Sequence, residues 1–491
     1  MQKGKSWLLR RLPWYVAVSV VALIPCFWLP RIEAGDLGSH SYNAWLTSLV
    51  EKGQAPGLWV APQSNNILFD ILLLRLGTLM GFAAGEKIAV CLAVLVFLWG
   101  AFAFVSAVAG KPAWFLLPVL LMLAYGWTFH MGFFNFYLAL ALSFAGLAVL
   151  WRAQRRWYLY VVVTGLALPI WMAHPLGLAW YAAAAVYIGV ARRLERRWQW
   201  AVVLAAAAGA AALHFHLAQV YAVDWWRGRY VDLLGTDQVV LGTRYEFVGW
   251  MVLLLVVACV LLHVLWTRRE ERKVTGLSPV ATQLFVVSLP IVALLPDAVR
   301  LPWYNEPISL LTSRFTLAVA VLGCAALAQL RPRMLFAALS GVVAFAYFVL
   351  IYQDAAKTYK LERHAEQLVA RAPAAARIAT TIYPFRGFRI FVHHVADRAC
   401  IGKCFNVDNY EPSSNAFRLR ANAGNRIVAA SEADANHMMM GDYVVRPEDL
   451  PLWQIFQCGP TETDLCLRPL SAGPMRNIVA NEVQRAGENG K

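Results

Sequence analysis

Charged side chains are scarce in this chain. Only 15% of its 491 residues are Asp, Glu, Lys or Arg, while 59% are hydrophobic. A soluble globular domain carries about 25% charged residues, so an ordinary soluble enzyme is excluded. Acid is the scarcer sign, with 29 Asp and Glu against 44 Lys and Arg. No Gly-rich phosphate loop, Ser-His-Asp pattern or internal repeat is seen. P-loop chemistry and a repeat-built transporter therefore lose their usual sequence support. A cleavage site is missing too. The apolar run from Pro13 to Pro30 ends without a small-x-small pattern, and Pro25 precedes Cys26 where a lipoprotein signal has a small residue. That run reads as an uncleaved signal anchor.

Long apolar sequence takes the place of charge. Eleven runs match the roughly 30 Å of a bilayer core as helices: 13–30, 87–109, 112–129, 133–151, 157–173, 176–191, 199–221, 247–266, 278–296, 313–330 and 334–352. A twelfth, 66–84, contains Asp70 and Arg75. Basic clusters stand between the runs: WRAQRRW (151–157), ARRLERR (191–197), TRREERK (267–273) and RPR (331–333). Two runs separate each successive pair, which assigns all four to the cytoplasmic side. The net charge of +15 is thereby a matter of topology, and no nucleic-acid partner is expected.

The N-terminus belongs on that side as well, so an even number of spans must precede Trp151. Four do if 66–84 does not cross. That segment is expected to lie along the membrane surface or to re-enter, with Asp70 and Arg75 on its wetter side. The expected fold is an α-helical polytopic membrane protein of about 11 spans. Residues 1–352 form the membrane domain, with 31–86 as its first external loop. Residues 353–491 form a small extracytoplasmic α/β domain, with a helix over 354–373 and strands in RIATTIY and FRIFVHHV.

Cysteine usage agrees with an exported tail. Cys26, Cys91, Cys259 and Cys324 lie in apolar runs, where a thiol acts as a small hydrophobe. Cys400, Cys404, Cys458 and Cys466 lie in the tail and suggest two disulfides, with three pairings open. Their C-x3-C and C-x7-C spacings do not suit zinc.

The external segments hold the polar chemistry. In GDLGSHSYNAWLTSLV a helix from Asp36 to Val50 brings Asp36, His40, Asn43 and Thr47 onto one arc, opposite Tyr42, Trp45, Leu46 and Leu49. The apolar side is suited to rest on lipid or protein. Two readings of Asp36 compete: a carboxylate facing a site, or a helix N-cap. Arg314 opens an apolar run at its external end, which suits either a phosphate or simple snorkelling. Arg227, Arg229, Arg244 and Arg300 are the other external cations. His174, in AHPLG, and His130 and Asn135 flank external turns. Glu306, with Trp303 and Tyr304, offers an acid beside a sugar platform. The loop 222–246 sets Trp225, Trp226 and Tyr230 near Asp224 and Asp232, and His214 and His216 read as packing or interfacial residues. The stretch 404–420 is either a structural loop or a segment reaching over the site.

A signal anchor, an external loop opening with an acid, a surface segment and then many spans resembles the glycosyltransferase C superfamily. GFFNFYLALALS (132–143) and MAHPLGLAWY (172–181) are similar to segments of its bacterial members. The likeness covers roughly residues 10–350 and is one of architecture. It implies a lipid-linked (polyprenyl-phosphate) sugar donor, a glycan, lipid or protein acceptor, a bacterial inner-membrane location, and Asp36 as the catalytic base. His40, Asn43, His174, Glu306 and Arg314 are then the expected substrate-binding residues. Many members pair two acids in this loop. Here the pair is Asp36-Leu37, which leaves a divalent metal open, and no other cofactor is expected. A polymerase or ligase of lipid-linked glycans, a transporter and a non-catalytic membrane scaffold are the rival readings.

Overall fold

In a computed structural model, residues 2–153, 156–266, 279–328, 333–459 and 461–475 are described. The cluster TRREERK, together with Gln154, Arg155, Arg331 and Pro332 of the other basic clusters, lies outside the described residues.

The chain is mostly helical. In order come α1 (Gln2–Phe27), α2 (Leu37–Glu51), α3 (Leu68–Met80), α4 (Phe82–Ala109), α5 (Leu117–Ala124), α6 (Trp127–His130), α7 (Phe134–Ala153), α8 (Trp157–Gly165) and α9 (Ala167–Ala173). These are followed by α10 (Pro175–Ala191), α11 (Arg196–Val220), α12 (Glu246–Trp266), α13 (Pro279–Leu294), α14 (Leu311–Leu327) and α15 (Arg333–Val369). Among the described residues five helices are long and apolar enough to cross a membrane: Phe82–Ala109, Phe134–Ala153, Arg196–Val220, Thr243–His263 and Arg333–Val369. The other expected runs form shorter apolar helical stretches, among them Leu12–Phe27, Trp114–His130 and Leu311–Leu327.

Two expected runs are interrupted. The run 112–129 is a 3-10 turn at Trp114–Leu116, then α5, then a break at Tyr125 and Gly126 before α6. The run 157–173 divides at Leu166. Pro169 lies one turn further on, and its ring removes a backbone donor and crowds the preceding turn.

The doubtful segment 66–84 becomes α3, which at 13 residues is about 20 Å long, too short to cross a bilayer. Gly81, at φ +87, separates it from α4. Asp70 and Arg75 do not share a wet side as expected. Five residues apart on a helix puts them about 140° from one another. Asp70 turns into the protein, and Arg75 is exposed.

The C-terminal part holds a four-stranded sheet in the order Phe405–Asn406, Arg377–Thr381, Trp453–Gln457, Leu465–Pro469. The first two pairings are parallel and the last antiparallel. Cys400 is bonded to Cys404, and Cys458 to Cys466, the latter across the mouth of the antiparallel hairpin. RIATTIY supplies the strand Arg377–Thr381. FRIFVHHV does not form a strand. Its start is bonded to the helical bundle instead, with Arg389 N–H donating to Leu241 O at 2.9 Å and Thr243 N–H donating to O of the preceding Gly387 at 3.0 Å. It then tightens into a 3-10 turn, His393–Ala396, and α16 (Asp397–Cys400).

No flexible linker joins bundle and tail. The 37 residues of α15 form a rod about 55 Å long that passes straight through position 352. Its first half buries Phe336, Val343, Tyr347 and Ile351 in the bundle core, and its second half buries Leu361, Ala365 and Leu368 in the tail core. The first loop belongs to the tail as much as to the bundle. Its strand Leu58–Val60 pairs antiparallel with Leu419–Ala421, and Tyr42 and Leu46 of α2 are buried in the tail core. The apolar side of α2 therefore rests on protein, and of its polar arc Asn43 and Thr47 are buried while Asp36 and His40 are partly exposed.

A charge cluster fastens the same seam. Arg398 Nη1 lies 2.8 Å from Glu86 of α4, and its Nη2 lies 2.8 Å from Glu362 of α15 and 3.3 Å from Glu33 of the first loop. All four side chains are almost fully buried.

Candidate active site at the bundle–tail seam

Asp36 is fixed by its backbone. Gly35 N–H donates to His130 O at 2.7 Å, and Asp36 N–H to Met131 O at 3.0 Å. This docking needs Gly132, which has φ +84 and whose Cβ, were there one, would lie 2.5 Å from the Asp36 nitrogen. On the other side Gly38 lies under the tail, where a Cβ would come within 2.2 Å of the His394 carbonyl oxygen. The GDLG stretch is thus held between the turn before α7 and the tail loop 391–394. Asp36 occupies the N-cap position of α2 but makes no side-chain capping bond. Its carboxyl faces a cavity instead.

That cavity has a volume of about 780 Å³. Of the residues expected at a site, Asp36, His40, His174, Glu306 and Arg314 all line it. Asn43 does not. Its Oδ1 accepts from Asn409 Nδ2 at 2.6 Å and its Nδ2 donates to Ser39 Oγ at 3.1 Å, so it ties α2 to the tail. Arg244 is engaged with Asp354 and Arg229 with Asp232, and His130 lines a separate small cavity beside Glu33. His214 packs on Trp225 at 4.2 Å between ring centroids, as its packing reading expects.

Burial raises the Asp36 pKa, against the lowering pull of His394, His40 and Arg314. Arg314 forms no salt bridge among the described residues. Its guanidinium stands 3.9 Å from the centroid of the Phe133 ring, and its Nε is buried without a partner. A cation held by an aromatic face and lacking a carboxylate is ready for an external anion. His174 accepts from Leu176 N–H through Nδ1 at 3.2 Å, so its other nitrogen carries the hydrogen. Burial and then Arg314 press its pKa down to about 3, which keeps it neutral. Burial, then Glu432, raises Glu306 to about 7.

Asp70, expected only as a charge on a wet helix side, does not line the cavity but backs His40, which does. Asp70 Oδ1 lies 2.6 Å from His40 Nδ1, while its Oδ2 accepts from Asn135 Nδ2 at 2.9 Å. His394 Nδ1 lies 2.9 Å from Asp397 Oδ2. Tyr410, Glu411 and Phe417, from the stretch 404–420, line the cavity as well. Ser39 Oγ donates to Glu411 at 2.8 Å, yet burial holds the Glu411 pKa at about 7. The signal for His394 was its spacing from Asp397, which pairs side chains only on a helical turn. Reading that stretch as a strand concealed it. Glu411 carried no local signal at all. Among the described residues, no group of three or more His, Cys, Asp or Glu side chains is arranged to hold a metal ion.

Compared with family models, curated proteins and solved structures, the chain gives no significant match.

Proposed function

We propose that this protein is a glycosyltransferase of the inner bacterial membrane, with eleven spans and its tail outside the cytoplasm. It transfers a sugar from a polyprenyl-phosphate-linked donor to an envelope acceptor. One observation carries the reading: an uncapped, half-buried carboxyl, Asp36, shares a large cavity with an unpaired guanidinium, Arg314, at the seam of an apolar helical bundle and a polar domain.

The chemistry follows from those two groups. The acceptor hydroxyl gives its proton to the Asp36 carboxylate as its oxygen attacks the anomeric carbon. The bond from that carbon to the phosphate oxygen breaks, and the phosphate leaves with the electron pair toward Arg314. Burial raises the Asp36 pKa and so strengthens it as a base. Leu176, Leu301 and Ile308 on the cavity wall suit a lipid chain, and Trp303 and Tyr304 beside Glu306 suit a sugar. A transporter would concentrate its polar groups between broken helices of the bundle. Here the tail contributes much of the wall, which favours an enzyme.

Mass spectrometry of envelope glycans tests the reading. A strain lacking the protein and one carrying Asp36→Asn should lose the same glycan species. An unchanged profile in the deletion strain overturns the function. A normal profile in the Asp36→Asn strain, against a changed one in the deletion strain, overturns Asp36 as the base.

A further inference from the structure

Two histidine–aspartate pairs converge on the cavity from different parts of the chain. His40 stands on α2 and is held by Asp70 of α3, which is itself held by Asn135 of α7. His394 belongs to the tail and is held by Asp397, whose other oxygen accepts from Asn406. In both pairs Nδ1 is committed to the carboxylate, which leaves Nε2 as the nitrogen free to serve the cavity that both rings line. Both carboxylates are anchored, so both rings are fixed in orientation. Asp36 lies within the electrostatic reach of both rings and of Arg314.

We propose that His40 and His394 are the two jaws of a phosphate clamp, one from the first loop and one from the tail, closing on the anion that Arg314 also contacts. The proposal rests on reading this cavity as the site of a phosphate-bearing lipid and goes further, because it makes the tail an obligatory part of donor binding. His394 is the charged ring that the tail supplies, while His174, the other cavity imidazole of the first 352 positions, is neutral. A tail held at a distance would leave the anion with one imidazolium instead of two.

The charge state fits an anion. Burial disfavours each imidazolium, but Asp70 beside His40 and Asp397 beside His394 outweigh it, and each ring is pushed up to about 9. Asp36 and Glu411 face both rings and add to the effect, while His393 adjoins His394 and is held down to about 4. Both rings are therefore charged donors at neutral pH, and charge-assisted bonds to phosphate are the strong kind.

The test is binding, which needs no acceptor and no turnover. Full-length protein in nanodiscs is titrated with farnesyl phosphate, farnesol and inorganic phosphate. Wild type should bind farnesyl phosphate at least tenfold more tightly than farnesol at pH 7, and this preference should fall several-fold above about pH 10, where Arg314 alone still carries charge. His394→Gln and His40→Gln should each weaken farnesyl phosphate binding by about tenfold or more, with farnesol binding unchanged as the check that the cavity is intact. No preference for farnesyl phosphate over farnesol in wild type overturns the phosphate-lipid reading itself. A preference undiminished in His394→Gln overturns the clamp and leaves that reading standing. Inorganic phosphate binding as tightly as farnesyl phosphate, and weakened by both substitutions, supports the clamp but assigns it to free phosphate. Should His394→Gln fail to fold, the wild-type pH series decides: a preference unchanged to pH 10.5 overturns the clamp.

Discussion

At the scale of single residues, chemistry and stability separate cleanly at Asp36. Because its carboxyl caps nothing, Asp36→Asn should leave the melting temperature within about 1 °C of wild type, Asn being an equally good N-cap residue. Transfer should fall at least about 100-fold, the usual yield of a positioned general base. A melting temperature lowered by several degrees would instead make Asp36 structural. The pH profile should be a bell. Its acid limb rises as Asp36 ionises, above the ordinary carboxylate range because burial raises its pKa. Its alkaline limb falls near pH 9 as His40 and His394 lose their protons. The same two pairs contribute to stability in a defined window. Their folded pKa lies above the unfolded value of about 6.5, so the contribution is complete below pH 6.5 and is lost as pH rises through about 9. Melting temperature against pH should decline over that interval, and a flat curve would mean the rings are not charged in the fold.

Elements decide where those residues meet. The α2 helix was legible as an element, with a polar arc and an apolar arc, but what it packs against was not. The apolar arc told only that something apolar covers it, and Tyr42 and Leu46 were equally fit for lipid or for a protein core. Packing against the tail is so close at Gly38 that a single methyl has no room, since it would meet the backbone oxygen of His394. Gly38→Ala should therefore push α2 off the tail and open the clamp. The expected result is loss of farnesyl phosphate binding together with faster proteolysis of the tail. Normal binding by the Ala variant would mean the seam is looser than the close approach implies. The stretch FRIFVHHV teaches a related lesson. Its alternation of apolar residues reads as a strand, yet the backbone partners it takes lie in the loop around Leu241 and Thr243, which no local pattern could announce.

For the whole molecule, the seam between bundle and tail carries both stability and function. Arg398 is bound by carboxylates from three separate segments, the first loop, α4 and α15. Replacing Arg398 by Met would leave Glu33, Glu86 and Glu362 buried without their cation. Losing one partner of a buried ionic group costs about 3–5 kcal/mol, enough to undock the tail, and the variant should be destabilised and inactive together. Wild-type stability in Arg398→Met would show the cluster to be dispensable. The α15 rod makes the same point mechanically, since its two halves belong to two cores.

By itself the sequence determined the apolar, mostly helical build, the scarcity of charge, the oddity of 66–84 among the apolar runs, and a cysteine-bearing C-terminal region. These follow from periodicity and composition, which act within a few turns of chain. It also picked out Asp36, His174, Glu306 and Arg314 as polar groups in unusual places. Only the tertiary structure decided that they share one cavity, that Asn43 does not join them, that cysteines pair with their nearest neighbours, and that the tail brings His394 and Glu411 to the same space. Those outcomes depend on contacts between segments hundreds of residues apart, made through backbone atoms that every residue has, and such contacts leave no mark in the local order of side chains.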